Sequence, residues 1–320
     1  MALILDRMQR ARRTPLQALK PAQARAAYAY GAEMLDAPRA PLARVDDIVI
    51  DADDGTPLRA RLYASSTDRL PALLYLHGGG FTIGGLETHD SLCRPLALRS
   101  GWAVVALDYR LAPEHRFPVA VDDAWAALRH LARGIASLGI DSARLAVGGD
   151  SAGGTLAAVC AILARDAGLP LALQVLVTPG TAARADLPSH RTFAHGFLLD
   201  EDAIDWFFAQ YIDEADRGDW RFAPLEADDL EGVAPALFVL AQCDPLVDEG
   251  LAYADRLRAA GVPVALELHR GVVHDFIKMA RMLPQASTAQ QQIADALRAT
   301  PCAAPDGRRE QLGGDMDGVA

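Results

Sequence analysis

From residue 46 onward, apolar residues fall into short dense runs separated by longer stretches with helical spacing. Asp46–Asp51 and Leu58–Tyr63 predict two strands joined by the turn Asp53-Asp54-Gly55. Further runs stand at 72–76, 103–107, 144–148, 172–177, 236–241 and 264–268. Most are apolar at nearly every position, as a strand must be when helices cover both of its faces. Between the runs, the segments 118–133, 152–166, 247–260 and 286–299 carry helical patterns. In the first, Pro118 opens the segment and Val121, Ala124, Trp125, Leu128 and Leu131 share one face. Strands alternating with helices predict an α/β fold with a mainly parallel sheet.

Two stretches break the alternation. Residues 1–45 read as amphipathic helix interrupted at Pro15, Pro21, Pro38 and Pro41. The roughly sixty residues between the runs at 172–177 and 236–241 hold no strand pattern, only an aromatic helical one at Ala203–Ile212. The expected organisation is an N-terminal helical segment over 1–45 and an α/β domain over 46–300 with an insertion at about 181–225. The tail 301–320 is rich in Gly, Asp and Pro and reads as disordered.

Composition narrows the partners. The chain has 320 residues and a formal charge of −11, which disfavours a nucleic-acid ligand. Hydrophobic residues make up 51%, too many for a disordered chain. No run approaches the ~20 apolar residues that span a bilayer. The first residues lack the order of a secretory signal, so neither membrane insertion nor export is expected. Cys93, Cys160, Cys243 and Cys302 show no CxxC spacing. That argues against a zinc site or disulfide framework and points to a cytoplasmic protein.

The chemistry concentrates in a few short motifs. Gly149-Asp150-Ser151-Ala152-Gly153-Gly154 joins the run ending at 148 to the helix from 152. This is G-x-S-x-G between strand and helix, where a nucleophilic serine is lifted above the sheet edge at a helix N-terminus. His77-Gly78-Gly79-Gly80-Phe81 follows the run at 72–76. Three successive glycines suit close approach of backbone to an oxyanion, with Gly79, Gly80 and Ala152 as donors. A phosphate loop would need GK[ST] or G-x-G-x-x-G, and neither is present.

A serine nucleophile needs a base. Of the eight histidines, His274 lies just beyond the last strand run, and catalytic groups of such sheets gather at the carboxyl ends of their strands. His77 belongs to the glycine loop, His89 and His115 are read as loop residues, and His269 as ending the last strand. Asp244 follows the run at 236–241, while Asp248 and Glu249 better suit the first turn of the next helix. Activity should rise as His274 loses its proton, near about 6.5 for an unperturbed imidazole.

With HGGGF at 77–81, DYRLAPE at 108–114, GDSAGG at 149–154, DPLVDEG at 244–250 and the His274 loop in this order, the chain resembles the hormone-sensitive-lipase-like bacterial carboxylesterases. The resemblance implies an α/β-hydrolase fold with an eight-stranded, mainly parallel sheet and a helical cap built from residues 1–45 and the insertion. It implies Ser151 as nucleophile, His274 as base, Asp244 as acid, and an oxyanion hole of Gly79, Gly80 and Ala152. It implies a structural role for Tyr109–Glu114, no cofactor, no metal, a small ester as substrate and a homodimer through an edge strand. Phe81, Phe197, Leu198 and Phe207 are the expected pocket walls for a short to medium acyl chain, with Phe193, Trp206 and Tyr211 as further candidates. Relatives carry Tyr-Pro where this chain has Thr178-Pro179-Gly180. Amide or formamide hydrolysis would use the same machinery, and some relatives are receptors that lost the histidine.

Overall fold

A computed structural model describes residues 1–11, 14–35, 37–134 and 138–300. The expected tail at 301–320, and Cys302 in it, fall outside these residues. Eight strands form one sheet: β1 (Arg44–Asp51), β2 (Pro57–Ala64), β3 (Leu70–Leu76), β4 (Ala103–Asp108), β5 (Ile140–Asp150), β6 (Leu173–Val177), β7 (Ala236–Cys243) and β8 (Val264–Val273). Their order is β1-β2-β4-β3-β5-β6-β7-β8. β1–β2 and β2–β4 pair antiparallel, and every other neighbour is parallel. All eight strand runs of the sequence are therefore strands.

Side chains alternate across the pleat into two cores. Leu74, Leu76, Val105, Leu107 and Val147 join one core. Three helices close that face: α4 (Val119–Ala132), α5 (Ala152–Asp166) and α8 (Val247–Ala259). Leu73, Tyr75, Val104, Ala106 and Ala146 join the other core, under α3 (Leu86–Ser100) and α9 (Pro284–Ala299). Two covered faces explain why the central strands are continuously apolar. One of the helices that flank the sheet escaped the sequence pattern, as did the short α6 (Pro188–Thr192). α3 contains Pro95, and its buried face includes Thr88, His89, Asp90 and Ser91, so neither periodicity nor breaker rules marked it. His89 is thus helical rather than in a loop, and His269 lies inside β8 rather than at its end.

Beyond the carboxyl ends of the strands lie α1 (Ala2–Arg10), α2 (Pro21–Leu35), α6 (Pro188–Thr192) and α7 (Glu201–Tyr211). Ala24 of α2, Ile83 of the loop after β3, and Ala203 and Phe207 of α7 bury one another in a third apolar cluster. Leu16, Leu19, Tyr28, Leu199 and Trp206 pack against it. Arg25 fixes α2 to the loops after β3 and β4. Its guanidinium donates to the carbonyls of Thr82 (2.9 Å) and Ala112 (2.8 Å) and pairs with Glu114. No described helix is long and apolar enough to cross a membrane.

The DYRLAPE segment is braced by a buried ion pair. Asp123 of α4 is fully buried, and its carboxylate accepts from the Arg110 amide (2.9 Å) and guanidinium (2.6 Å). Removing the carboxylate leaves the amide unpaired and the guanidinium with Asp54 as its remaining carboxylate partner, a loss of about 1–3 kcal/mol. Asp123→Ala should lower stability by about 1–3 kcal/mol in urea titration, and Asp123→Asn by less. A change within error for Asp123→Ala would show that the pair does not hold this segment.

Candidate active site

Sheet register brings the carboxyl-end residues together before any side chain is considered. Leu76 pairs with Gly149, Asp150 with Val177, Val177 with Val239, and Cys243 with Val273. Among the residues that follow these partners are His77, Ser151, Thr178, Asp244 and His274. The Cys243–Val273 pairing in particular sets Asp244 beside His274 as neighbours across one strand gap.

The turn at Ser151 depends on what its flanking glycines lack. A Cβ on Gly153 would stand 1.9 Å from the Leu76 carbonyl oxygen, and one on Gly149 2.3 Å from the same atom. No side chain fits at either place. Ser151 itself has φ 54° and ψ −124°, a strained conformation for an L residue, costing on the order of 1–3 kcal/mol. The Ser151 amide is held by the Val177 carbonyl at 2.9 Å. Its side chain stands just before α5, where helix amides and dipole favour negative charge. The five described non-glycine residues with positive φ are Phe81, Ser151, Thr178, Leu198 and Asp275. Four of them line one cavity, so the strained backbone gathers there.

Ser151 Oγ lies 2.8 Å from His274 Nε2, and His274 Nδ1 lies 2.8 Å from Asp244 Oδ2. With the carboxylate accepting from Nδ1–H, Nε2 is left to accept the serine proton. The other Asp244 oxygen accepts the Leu246 amide at 2.9 Å, which fixes the carboxylate rotamer. Asp244 is fully buried and His274 nearly so. Burial alone would lower the His274 pKa, but the Asp244 carboxylate beside it, with Asp275 and Asp150 further off, raises it to about 9. The expectation of an ordinary imidazole near 6.5 is therefore corrected upward.

Asp150 supports the turn from below. It accepts Tyr75 Oη at 2.8 Å and His89 Nε2 at 3.2 Å. Burial raises its pKa, but the His89 ring beside it outweighs that and holds the carboxyl well below the usual range. Gly78 passes over it so closely that a Cβ there would meet Asp150 Oδ2 at 2.3 Å. His77 stacks on Tyr109 with ring centroids 4.2 Å apart, and Tyr109 Oη donates to the His77 carbonyl at 2.7 Å. Burial pushes the His77 pKa down to about 3, so its ring is a neutral spacer. Gly79 (φ 124°) and Gly80 (φ 56°) line the cavity with Ala152 and Ser151. Among the described residues, their amides and that of Ala152 donate to no protein acceptor.

The cavity has a volume of about 490 Å³, within the range of small-molecule sites. Phe81, Leu198 and Phe207 line it. Phe197 is not among its lining residues. Its ring packs edge-on against Phe193, 5.0 Å between centroids, while its neighbours Gly196 and Leu198 face the space. Phe193, Trp206 and Tyr211 are likewise not lining residues, and Tyr211 stacks on Phe81 at 4.0 Å. Phe208, Phe222, Ile204, Leu246 and Met279 are walls the sequence did not single out. After β6, Thr178 is buried at φ 41°, and Gly180 and Ala182 beyond it line the cavity.

The two acids that rivalled Asp244 occupy the first turn of α8 and anchor the insertion. Asp248 accepts the Ser189 amide at 2.8 Å. Glu249 accepts the amides of Thr181 and Ala182 and faces His190 Nε2 at 3.2 Å.

Comparison with known proteins agrees with this geometry. Residues 73–278 match the family described as alpha/beta hydrolase fold. The chain is 40% identical over 292 residues to the ethyl acetate hydrolase of Pseudomonas putida, covering 89% of this chain and 92% of that one. It is 42% identical over 265 residues to the carboxylesterase NlhH of Mycobacterium tuberculosis, covering 81% and 83%. Among solved structures, an ester-hydrolase from the metagenome of Lake Arreo superposes with a TM-score of 0.89 at 41% identity, covering 93% of this chain and 97% of that one. An esterase from Pyrobaculum calidifontis superposes with a TM-score of 0.87 at 38% identity, covering 92% and 96%. By its matched span, its fold and these similarities, the chain belongs to the α/β-hydrolase fold family, in the hormone-sensitive-lipase-like carboxylesterase branch.

Proposed function

We propose that the protein is a serine carboxylesterase that hydrolyses short- to medium-chain acyl esters through an acyl-enzyme. The observation that carries this reading is the unbroken path Ser151 Oγ–His274 Nε2, His274 Nδ1–Asp244 Oδ2, both links 2.8 Å, opening into an apolar cavity. Ser151 attacks the ester carbonyl while His274 takes its proton. Asp244 holds the tautomer and stabilises the imidazolium. The unengaged amides of Gly79, Gly80 and Ala152 receive the oxyanion, each donor worth about 3 kcal/mol of barrier. His274 then protonates the leaving alcohol and activates water for deacylation.

Residues 1–45 and the 181–225 insertion act as a cap in this reading. The support is that Leu16 and Ala27 from the first, and Leu198 and Phe207 from the second, line the same cavity as Ser151. Phe81, Leu198 and Phe207 bound the substrate space. Phe207 also sets its depth at the oxyanion loop, because a Cβ on Gly80 would fall on its ring at 2.2 Å. The cytoplasmic setting and a homodimer through an edge strand stay within the proposal. The first rests on the free thiols of Cys93, Cys160 and Cys243, the second on the resemblance. The receptor alternative loses its ground, since the histidine such proteins lack is here bonded on both ring nitrogens.

Two outcomes are expected. Against p-nitrophenyl esters from acetate to palmitate, kcat/KM should peak at short or medium acyl length, and Ser151→Ala should lower it at least about 10³-fold. Folded wild-type protein that is inert on the whole series, or a Ser151→Ala variant that keeps its rate, would overturn the reading. The acid limb of kcat/KM should lie well above 6.5, toward 9. The base acts only when neutral, and a raised pKa delays loss of its proton as pH rises. A limb at or below 6.5 would contradict the electrostatics of the site.

A further inference from the structure

Three polar side chains that the reaction above does not use meet inside the cavity, beside His274. Tyr28 comes from α2, and Asp275 and Lys278 from the loop after β8. Tyr28 Oη donates to Asp275 Oδ2 at 3.2 Å. Lys278 Nζ donates to Tyr28 Oη and stands 3.1 Å from Asp275 Oδ2. The ammonium also lies 4.4 Å from the centre of the Tyr28 ring. All three residues line the cavity together with Ser151 and His274. Lys278 is only 7% exposed, and it is one of two lysines in a chain whose other basic residues are arginines. A compact ammonium reaches both oxygens here, where a planar guanidinium would need more room.

The surroundings of His274 pose a problem that this cluster addresses. Asp244 is bonded to it, Asp275 follows it in the chain, and Asp150 lies beneath the nucleophile. Every carboxylate nearby favours the imidazolium. Asp150 is engaged by His89 of α3 and Tyr75 of β3. Among the described residues, the Asp275 carboxylate is engaged by Lys278 and Tyr28. Each unit by which the His274 pKa rises removes about tenfold of the neutral imidazole near neutral pH.

We propose that Lys278 is a positioning residue for catalysis: its ammonium balances the Asp275 carboxylate and, with Tyr28, ties the His274 loop to α2, leaving Asp244 as the one carboxylate whose charge His274 fully feels. The proposal rests on His274 as the base of the esterase reading. It predicts opposite effects from the two charges. Lys278→Met leaves Asp275 uncompensated and holds the His274 proton more tightly. Asp275→Asn leaves the cation uncompensated and loosens it, and asparagine tolerates the left-handed backbone at φ 63°. The double variant removes both charges.

The test is the titration of the His274 ring, followed by NMR in histidine-labelled full-length protein, for wild type and the three variants. The midpoint should move up by about one pH unit in Lys278→Met, down in Asp275→Asn, and back to near wild type in the double variant. The acid limb of p-nitrophenyl ester kcat/KM should move in the same directions. An unmoved midpoint in both single variants, or a shift of the same sign in both, would overturn the proposal. If Lys278→Met does not fold, Asp275→Asn and the double variant still decide it. Failure of the esterase reading would register separately, as ester hydrolysis surviving in Ser151→Ala, because the NMR titration reads the coupling without turnover.

Discussion

The Leu76 carbonyl leaves no room at the end of β5, and the site follows from that crowding. Both Gly149 and Gly153 press against this oxygen so closely that no Cβ fits. The chain can then reverse from strand to helix within one residue, and Ser151 is forced into a left-handed conformation with its side chain above the sheet. Strain of that kind persists only where the surroundings over-determine it. Here the determinants are the Val177 carbonyl on the Ser151 amide and the buried Asp150 bonded to Tyr75 and His89.

Electrostatics completes what sterics begins. The parallel register delivers Asp244 and His274 to neighbouring strand ends, so their bond costs little ordering. Around them the protein buries several carboxylates, each with its own partner. His89 answers Asp150, Lys278 answers Asp275, and backbone amides answer Glu249. Buried charge without a partner would cost several kcal/mol, so these pairings are conditions for folding as much as for chemistry. The segments beyond the sheet are tied in at the same points: α2 by Arg25 and Tyr28, the insertion by Asp248 and Glu249.

Much of this was legible in the sequence, for identifiable reasons. The eight strands were readable because both faces of the sheet are covered and leave dense apolar runs. Ser151, Asp244 and His274 were readable because each directly follows a strand end. α3 was not, because Pro95 interrupts it and half of its buried face is polar. Those polar residues include His89, which supports Asp150. The Tyr28–Asp275–Lys278 cluster was hidden because Tyr28 is about 250 positions from its partners and only the tertiary fold joins them. Phe197 was misplaced because aromatic content identifies which segment nears a pocket, not which of two adjacent side chains turns inward.

The central claim is that Ser151 becomes covalently acylated during turnover. Acid-quenching the full-length protein within milliseconds of mixing with a p-nitrophenyl ester, followed by peptide mass mapping, tests it most directly. The account predicts one acyl group, its mass set by the ester used, on the peptide containing Ser151. Turnover with that peptide unmodified, or with the acyl group on another residue, would contradict it.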